Sequence, residues 1–161
     1  RWSLGMMDMP WEGCWIGTDS LYPGETGSKH SRIAARYLRK EFKTLGNIRR
    51  ATVHVCGLGL YQLLINGRKV GNSELAPLGS DYNKTLIYDT YDVTHALSSE
   101  NVLMLTLGAG NYFAPRQHYQ TNVRSTYGKP MALLNLIVEY QGNRCYLAIE
   151  CEWSHPLFQF L

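Results

Sequence analysis

The chain has 161 residues, enough for one domain with its own core and too few for two comfortable ones. A hydrophobic fraction of 45% excludes a disordered chain, and a net charge of +3 spread over scattered basic residues argues against nucleic-acid binding. No apolar run approaches the length of a membrane-spanning helix.

Residues 1–30 form the first distinct segment. They contain Trp2, Trp11 and Trp15 among prolines and glycines without a clear period. We expect a lead-in segment that its tryptophans pin against a domain formed by residues 31–161. The segment lacks the layout of a signal peptide, so we expect a piece of a longer protein whose compartment the sequence leaves open.

Residues 31–46, SRIAARYLRKEFKTLG, carry two competing patterns. Helical periodicity places Ile33, Tyr37, Leu38, Phe42 and Leu45 on one face, and Gly46 follows as a stop signal. The same residues also alternate as a strand would, with Leu38 and Phe42 on one side and Tyr37 on the other. The local pattern does not decide between helix and strand.

Residues 51–71, ATVHVCGLGLYQLLINGRKVG, also allow two interpretations. Gly57 and Gly59 after an apolar run resemble a dinucleotide fingerprint, but Gln62 stands where the third glycine belongs and no room for a crossover helix follows. Asn66-Gly67 is the strongest signal for a two-residue hairpin turn. The hairpin predicts Ile65 opposite Arg68, Leu64 opposite Lys69 and Leu63 opposite Val70, and we prefer it.

Further short runs follow at roughly ten-residue spacing, broken by turn signals. They read KTLIYDTYDV, NVLMLTLG, MALLNLIVEY and RCYLAIECEW, the last two separated by Gln141-Gly142-Asn143. Five or more such strands are typical of a sandwich or barrel. Asp92 and Thr94 come where one strand ends, and we expect them to bond the local backbone rather than to catalyse.

The four cysteines match no zinc-binding pattern. We expect buried free thiols. The alternative is an oxidised pair drawn from Cys14, Cys56 and one of the others. The five histidines show no spacing typical of a metal site. The sequence therefore predicts no cofactor, and it leaves a structural Ca²⁺ ion open because loop oxygens carry no sequence signature.

Two loops hold the candidate carbohydrate-binding residues. Asp81, Tyr82 and Asn83 combine an acceptor, a stacking ring and an amide, which is the set that binds the hydroxyl pair and the face of a sugar. The alternative is an ordinary turn with a half-buried tyrosine. A second group lies in a long loop that ends near Thr126, where contact with a neighbouring domain is our first expectation and ligand contact the second. This group comprises Asn111, Tyr112, Arg116 and His118.

Several ordered blocks of the sequence resemble the N-terminal β-sandwich domain of bacterial α-L-rhamnosidases. The blocks are GLGLYQLLINGRKVG, LAPLGSDYNKTLIYDTYDVTHAL and NVLMLTLGAGNYF, preceded by the linker-like WSLGMMDMPWEGCWIG. The resemblance covers roughly residues 2–153 and favours a strand over at least Tyr37–Phe42. The chain departs from the family pattern at Gly79-Ser80 and at Asn111, where many members carry an aromatic residue.

The resemblance implies an all-β fold, an antiparallel β-sandwich of the galactose-binding-domain-like jelly-roll type. It also implies a parent glycoside hydrolase whose paired carboxylates lie in a separate (α/α)6 barrel. The acidic signature of that barrel is missing here, since Asp8–Gly13 matches only its opening. We therefore expect a domain without catalytic residues, truncated at its C-terminal end, that supports the barrel and contacts rhamnose-containing glycans, or else serves only as a spacer. For the parent enzyme, a periplasmic or extracellular location is the expectation.

Overall fold

The structure is a computed structural model that describes residues 5–17, 20–26, 33–113, 127–141 and 144–148, the last range by its backbone alone. Nine strands lie in this part of the chain. They are β1 (Ile16–Gly17), β2 (Arg36–Lys43), β3 (Ile48–Leu58), β4 (Leu60–Ile65), β5 (Arg68–Lys69), β6 (Tyr88–Asp92), β7 (Glu100–Gly108), β8 (Met131–Tyr140) and β9 (Arg144–Ala148). The 3-10 turn Thr94–Ala96 joins β6 to β7, and no helix among the described residues is long and apolar enough to cross a membrane.

The strands form two antiparallel sheets. In the first sheet the order is β1-β8-β3-β6, and β9 pairs with β8 as well. In the second sheet the order is β2-β7-β4-β5. Inward-facing aliphatic side chains of both sheets make one continuous core, including Val53, Val55, Leu134 and Leu136 from the first and Leu38, Leu63, Leu103 and Leu105 from the second. The predicted antiparallel β-sandwich is confirmed.

The ambiguous segment 31–46 contains strand β2. Its eight residues pair with β7 along their whole length, with Leu38 opposite Leu105 and Phe42 opposite Asn101. Leu38 and Phe42 are buried, whereas Tyr37 points outward. This segment forms a strand rather than a helix because β7 pairs with all eight residues of β2, and local periodicity cannot reveal such a distant partner.

The hairpin predicted around Asn66-Gly67 is present. Leu64 pairs with Lys69 and Ile65 with Arg68, and the backbone N–H of Val70 donates to the carbonyl of Leu63. Upstream, Gly59 has φ of +109° and separates β3 from β4 directly, so no helix follows the glycines. A Cβ atom on Gly59 would also lie 2.4 Å from the carbonyl oxygen of Gly108, so only glycine fits there. The dinucleotide-binding hypothesis is wrong.

The outer face of the first sheet is covered by the lead-in segment. The backbone N–H of Met6 donates to the hydroxyl of Tyr88 over 3.0 Å, and the Trp11 ring contacts the Tyr88 ring edge to face. The N–H of Gly13 donates to the Asn135 side-chain oxygen, also over 3.0 Å. This cover explains why β3 and β8 are buried on both faces, whereas β7 alternates between buried and half-buried residues.

The cysteines divide into two kinds. Cys56 on β3 is a buried free thiol, as expected, and its burial raises its pKa to about 11, so it stays protonated. The default expectation is wrong for Cys14, which is disulfide-bonded to a partner outside the described side chains. The lead-in places Cys14 beside the edge of β8, and this proximity depends on tertiary packing that spacing along the chain does not show.

Candidate functional site

Three connections between strands lie at one end of the sandwich, and we call this end the loop end. The β3–β4 turn at Gly59 lies against the backbone of Gly108 and Ala109, where β7 finishes. The N–H of Tyr61 at the start of β4 donates to the carbonyl of Ala76, which ties the β5–β6 loop to the same end. The loops on which both groups of candidate residues lie therefore emerge together.

Three tyrosine rings meet at the loop end and form what we call the tyrosine cluster, Tyr82, Tyr112 and Tyr127. The Tyr82 ring centroid lies 5.1 Å from that of Tyr112 and 5.2 Å from that of Tyr127. Tyr112 and Tyr127 stack with centroids 5.8 Å apart and 21° between their planes. Each such pair is worth about 0.5–1.5 kcal/mol beyond its buried area, so the three rings hold the two loops together.

The phenol groups of Tyr82 and Tyr112 remain protonated hydroxyls. Partial burial raises the pKa of Tyr82 and of Tyr112 above the ordinary tyrosine value. The backbone N–H of Tyr127 donates to the carbonyl of Tyr112 over 2.9 Å, which fixes the chain on either side of the long loop. The cluster thus offers half-exposed ring surface, and the Tyr82 and Tyr112 hydroxyls can donate hydrogen bonds.

Polar side chains lie beside these rings. Asp81 organises its own turn, because its side chain accepts the N–H of Asn83 and its carbonyl accepts the N–H groups of Lys84 and Thr85. Asn83 and Asn111 are exposed, and neither side-chain amide bonds to another residue that the structure describes. Two unengaged amides therefore flank the tyrosine cluster.

The candidate residues identified from the sequence fare differently. Tyr82 and Tyr112 are in direct ring contact, and Asp81, Asn83 and Asn111 lie next to them along the chain. Arg116 and His118 fall outside the described residues. Tyr127, which follows the long loop, was not among the predicted residues, and no sequence pattern pointed to it. A sugar-contact role for these residues stays a prediction.

A second polar group bridges the two sheets inside the sandwich. The hydroxyl of Tyr61 on β4 donates to the Asp89 carboxylate on β6 over 2.6 Å and lies 3.2 Å from the hydroxyl of Tyr91. Burial, helped by the bond to Asp89, raises the pKa of Tyr61 well above its ordinary value. This group therefore cross-links the two sheets and has a structural role.

Asp92 and Thr94 also have structural roles, as predicted. The Asp92 carboxylate accepts the Thr94 backbone N–H over 3.0 Å and the Thr94 hydroxyl over 2.6 Å, and these bonds hold the pKa of Asp92 below its usual range. The N–H of Ala51 in turn donates to the Thr94 hydroxyl oxygen. Among the described side chains, no group of three or more His, Cys, Asp or Glu residues is placed to hold a metal ion.

The sequence is similar to one known family and to several proteins of it. A family described as the α-L-rhamnosidase N-terminal domain matches residues 46–157. An α-L-rhamnosidase of Formosa agariphila is 35% identical over 113 residues, which cover 68% of this chain and 12% of that protein. An α-L-rhamnosidase of Streptomyces avermitilis is 36% identical over 115 residues, covering 66% of this chain and 10% of that protein.

Solved structures share the fold. The α-L-rhamnosidase of Aspergillus terreus superposes with a TM-score of 0.69 at 29% identity, over 81% of this chain and 15% of that one. The Streptomyces avermitilis α-L-rhamnosidase in complex with L-rhamnose gives a TM-score of 0.60 at 30% identity, over 73% of this chain and 12% of that one. The chain therefore spans only a small part of the length of the proteins it matches.

Proposed function

The chain belongs to the family of α-L-rhamnosidase N-terminal domains, and from this premise we propose that it is a non-catalytic accessory domain of a larger glycoside hydrolase. In this proposal residues 31–161 form the domain and residues 1–30 lead into it. The parent enzyme is an α-L-rhamnosidase whose chemistry resides in a separate catalytic barrel. The small share of each relative that this chain covers supports this division of labour.

We further propose that the loop end contacts rhamnose-containing glycans. The observation that carries this proposal is the half-exposed tyrosine cluster flanked by the free amides of Asn83 and Asn111. A sugar presents an apolar C–H face that packs on an aromatic ring and hydroxyls that bond to amides. Weak binding of this kind near a catalytic barrel raises the local substrate concentration by tethering.

Titration calorimetry of the 161-residue chain with L-rhamnose and rhamnosides tests sugar binding. We expect millimolar affinity in the unmodified chain and at least about tenfold weaker binding in Tyr112→Ala, which removes a cluster ring worth about 1.4 kcal/mol to the complex. Tyr37→Ala is the matched control, since that exposed ring lies on the outer face of β2 and should leave the affinity unchanged.

Absence of binding at millimolar ligand in the unmodified chain would contradict the sugar contact and favour a purely structural spacer. The observation that favours the spacer is the exposure of Leu75 (70%) and Leu78 (76%) on the β5–β6 loop, because exposed leucines suit burial against another domain. Turnover of an aryl rhamnoside by this chain would contradict the non-catalytic role in either case.

A further inference from the structure

The turn between β4 and β5 holds the chemically labile pair Asn66-Gly67. Asparagine is among the thermally labile residues of proteins. The backbone nitrogen of a following glycine attacks the asparagine side-chain carbonyl more readily than any other, because glycine has no side chain to hinder it. A C–N bond forms, ammonia leaves, and the resulting succinimide is opened by water to aspartate or isoaspartate.

The position is accessible to this reaction. Asn66 is solvent-exposed, and a Cβ atom built on Gly67 would meet no other atom within 4 Å. Both residues have positive φ, +52° and +76°, as the two-residue turn requires. Neither steric shielding nor burial therefore protects the pair.

Hydrogen bonds hold the Asn66 side chain instead. Its amide nitrogen donates to the carbonyl of Ala96 and to the side-chain oxygen of Asn101, each over 2.9 Å. Its side-chain oxygen accepts the backbone N–H of Val102, also over 2.9 Å, and its own backbone N–H donates to the Val102 carbonyl. The amide thus extends the β4–β7 ladder past the last residue pair and points at β7 rather than at Gly67.

The partners of Asn66 are themselves fixed. Asn101 is only 3% exposed, its side-chain oxygen also accepts the Ser98 N–H over 2.8 Å, and its amide nitrogen donates to the Ser98 carbonyl over 2.7 Å. Attack by the Gly67 nitrogen requires the Asn66 side chain to rotate and break all three of its bonds. Because each such bond is worth about 1 kcal/mol, the fold should slow the reaction about a hundredfold.

A second asparagine provides an internal comparison. Asn72 precedes Ser73 in the exposed β5–β6 loop, and its side chain makes no hydrogen bond to the residues that the structure describes. In an unstructured chain Asn66 reacts faster than Asn72, since serine hinders the attack more than glycine does. In the folded chain the bonding of Asn66 reverses this order.

We propose that Asn66 is a deamidation site that the folded state protects and that unfolding makes reactive. Deamidation would also destabilise the refolded turn. Aspartate at position 66 lacks the amide protons and places a carboxylate oxygen against the Ala96 carbonyl and the Asn101 oxygen, and isoaspartate adds a backbone atom to a two-residue turn. The modified residue therefore records an unfolding event that the chain cannot reverse.

Peptide mapping by mass spectrometry tests the order of reaction. The chain is incubated at mildly alkaline pH, once folded and once in concentrated urea, and conversion at Asn66 and Asn72 is followed. In the folded chain we expect Asn66 to react at least about tenfold more slowly than Asn72, a lower bound on the protection by three hydrogen bonds. In urea we expect the order to invert. Conversion of Asn66 as fast as Asn72 in the folded chain would overturn the proposal.

Two further variants test the hydrogen bonds and the consequence. Asn101→Ala removes one acceptor, so it should speed conversion of Asn66 in the folded chain and leave Asn72 unchanged, with circular dichroism confirming that the variant is folded. Asn66→Asp should lower the urea midpoint of unfolding, whereas the matched Asn72→Asp should not. Equal midpoints for these two variants would show that Asn66 has no special role in the fold.

Discussion

Replacing Glu25 with glutamine should lower the free energy of unfolding by about 3–5 kcal/mol, the range found when one partner of a buried ion pair is removed. Glu25 pairs with Arg36 at the start of β2 in a two-pronged arrangement, with nitrogen–oxygen distances of 2.8 and 2.6 Å. The side chains are only 7% and 4% exposed. The substitution keeps the shape of the side chain and removes its charge, which leaves the Arg36 guanidinium buried without a counter-ion.

The remaining contacts of this ion pair cannot compensate for the loss. Glu25 also accepts the backbone N–H groups of Tyr22 and Ala34, and Arg36 lies over the Tyr22 ring with its guanidinium carbon 4.1 Å from the ring centroid. Both carboxylate oxygens of Glu25 accept hydrogen bonds in this arrangement. A neutral amide accepts at one oxygen alone, so at least one of these donors loses its partner.

The same ion pair predicts an acid-dependent stability. The bonds from Arg36, which are the largest cause, hold the pKa of Glu25 at about 2 instead of 4.5. A lowered pKa in the folded state means that the stabilisation is complete above 4.5 and is lost as the pH falls toward about 2. The unmodified chain should therefore lose stability across this window, and Glu25→Gln should lose less.

Urea unfolding followed by tryptophan fluorescence measures both effects. Glu41→Gln is the matched control, because Glu41 pairs with Arg39 at the surface, where its side chain is 65% exposed. Exposed pairs contribute about 0–1 kcal/mol, so this variant should resemble the unmodified chain. Equal unfolding free energies for the two variants would mean that the buried pair contributes no more than a surface one.

Replacing Leu105 with alanine should lower the free energy of unfolding by about 2–5 kcal/mol, the usual cost of truncating a buried leucine. Leu105 lies at the middle of β7, is 1% exposed, and stands opposite Leu38 on one neighbouring strand and Leu63 on the other. All three point into the core between the sheets. Removing the side chain leaves a cavity that the two flanking strands, held by their ladders, cannot close.

The adjacent residue of the same strand supplies the control for this cavity. Met104 is of similar size, points to the outer face of the second sheet and is only partly buried. Met104→Ala should cost clearly less than Leu105→Ala, and chemical denaturation measures the difference. Equal losses in the two variants would contradict the assignment of Leu105 to the core face of β7 and of Met104 to its outer face.

The hairpin and β2 show which parts of the fold can be predicted from local sequence. Asn66-Gly67 predicted the turn and the pairing of Leu64 with Lys69, because turn geometry and register are set by neighbouring residues. The segment around Leu38 and Phe42 satisfied both helical and strand periodicity. Only its pairing with β7, more than fifty residues away in the chain, makes it a strand.

The candidate site was only partly predicted, because some of its contacts join residues far apart in the chain. Tyr82 and Tyr112 were chosen for their residue types and loop positions, and the structure brings their rings together. Tyr127 was missed because its contact with Tyr112 depends on where the ends of a long loop meet, and loop closure has no periodic pattern. Arg36 stands in the sequence in a short basic run with Arg39, Lys40 and Lys43, and nothing in its spacing to Glu25 indicates a buried pair.

The sequence alone therefore determined the strand-rich class, the turns and the family, since these follow from alternation, turn chemistry and ordered motifs within short stretches of chain. The tertiary structure decided which faces are buried, how the lead-in covers β3 and β8, which loops share the loop end and which charges pair in the interior. The physical reason is that burial and pairing depend on distances between residues far apart in the chain. These residues come close together only once the two sheets have packed.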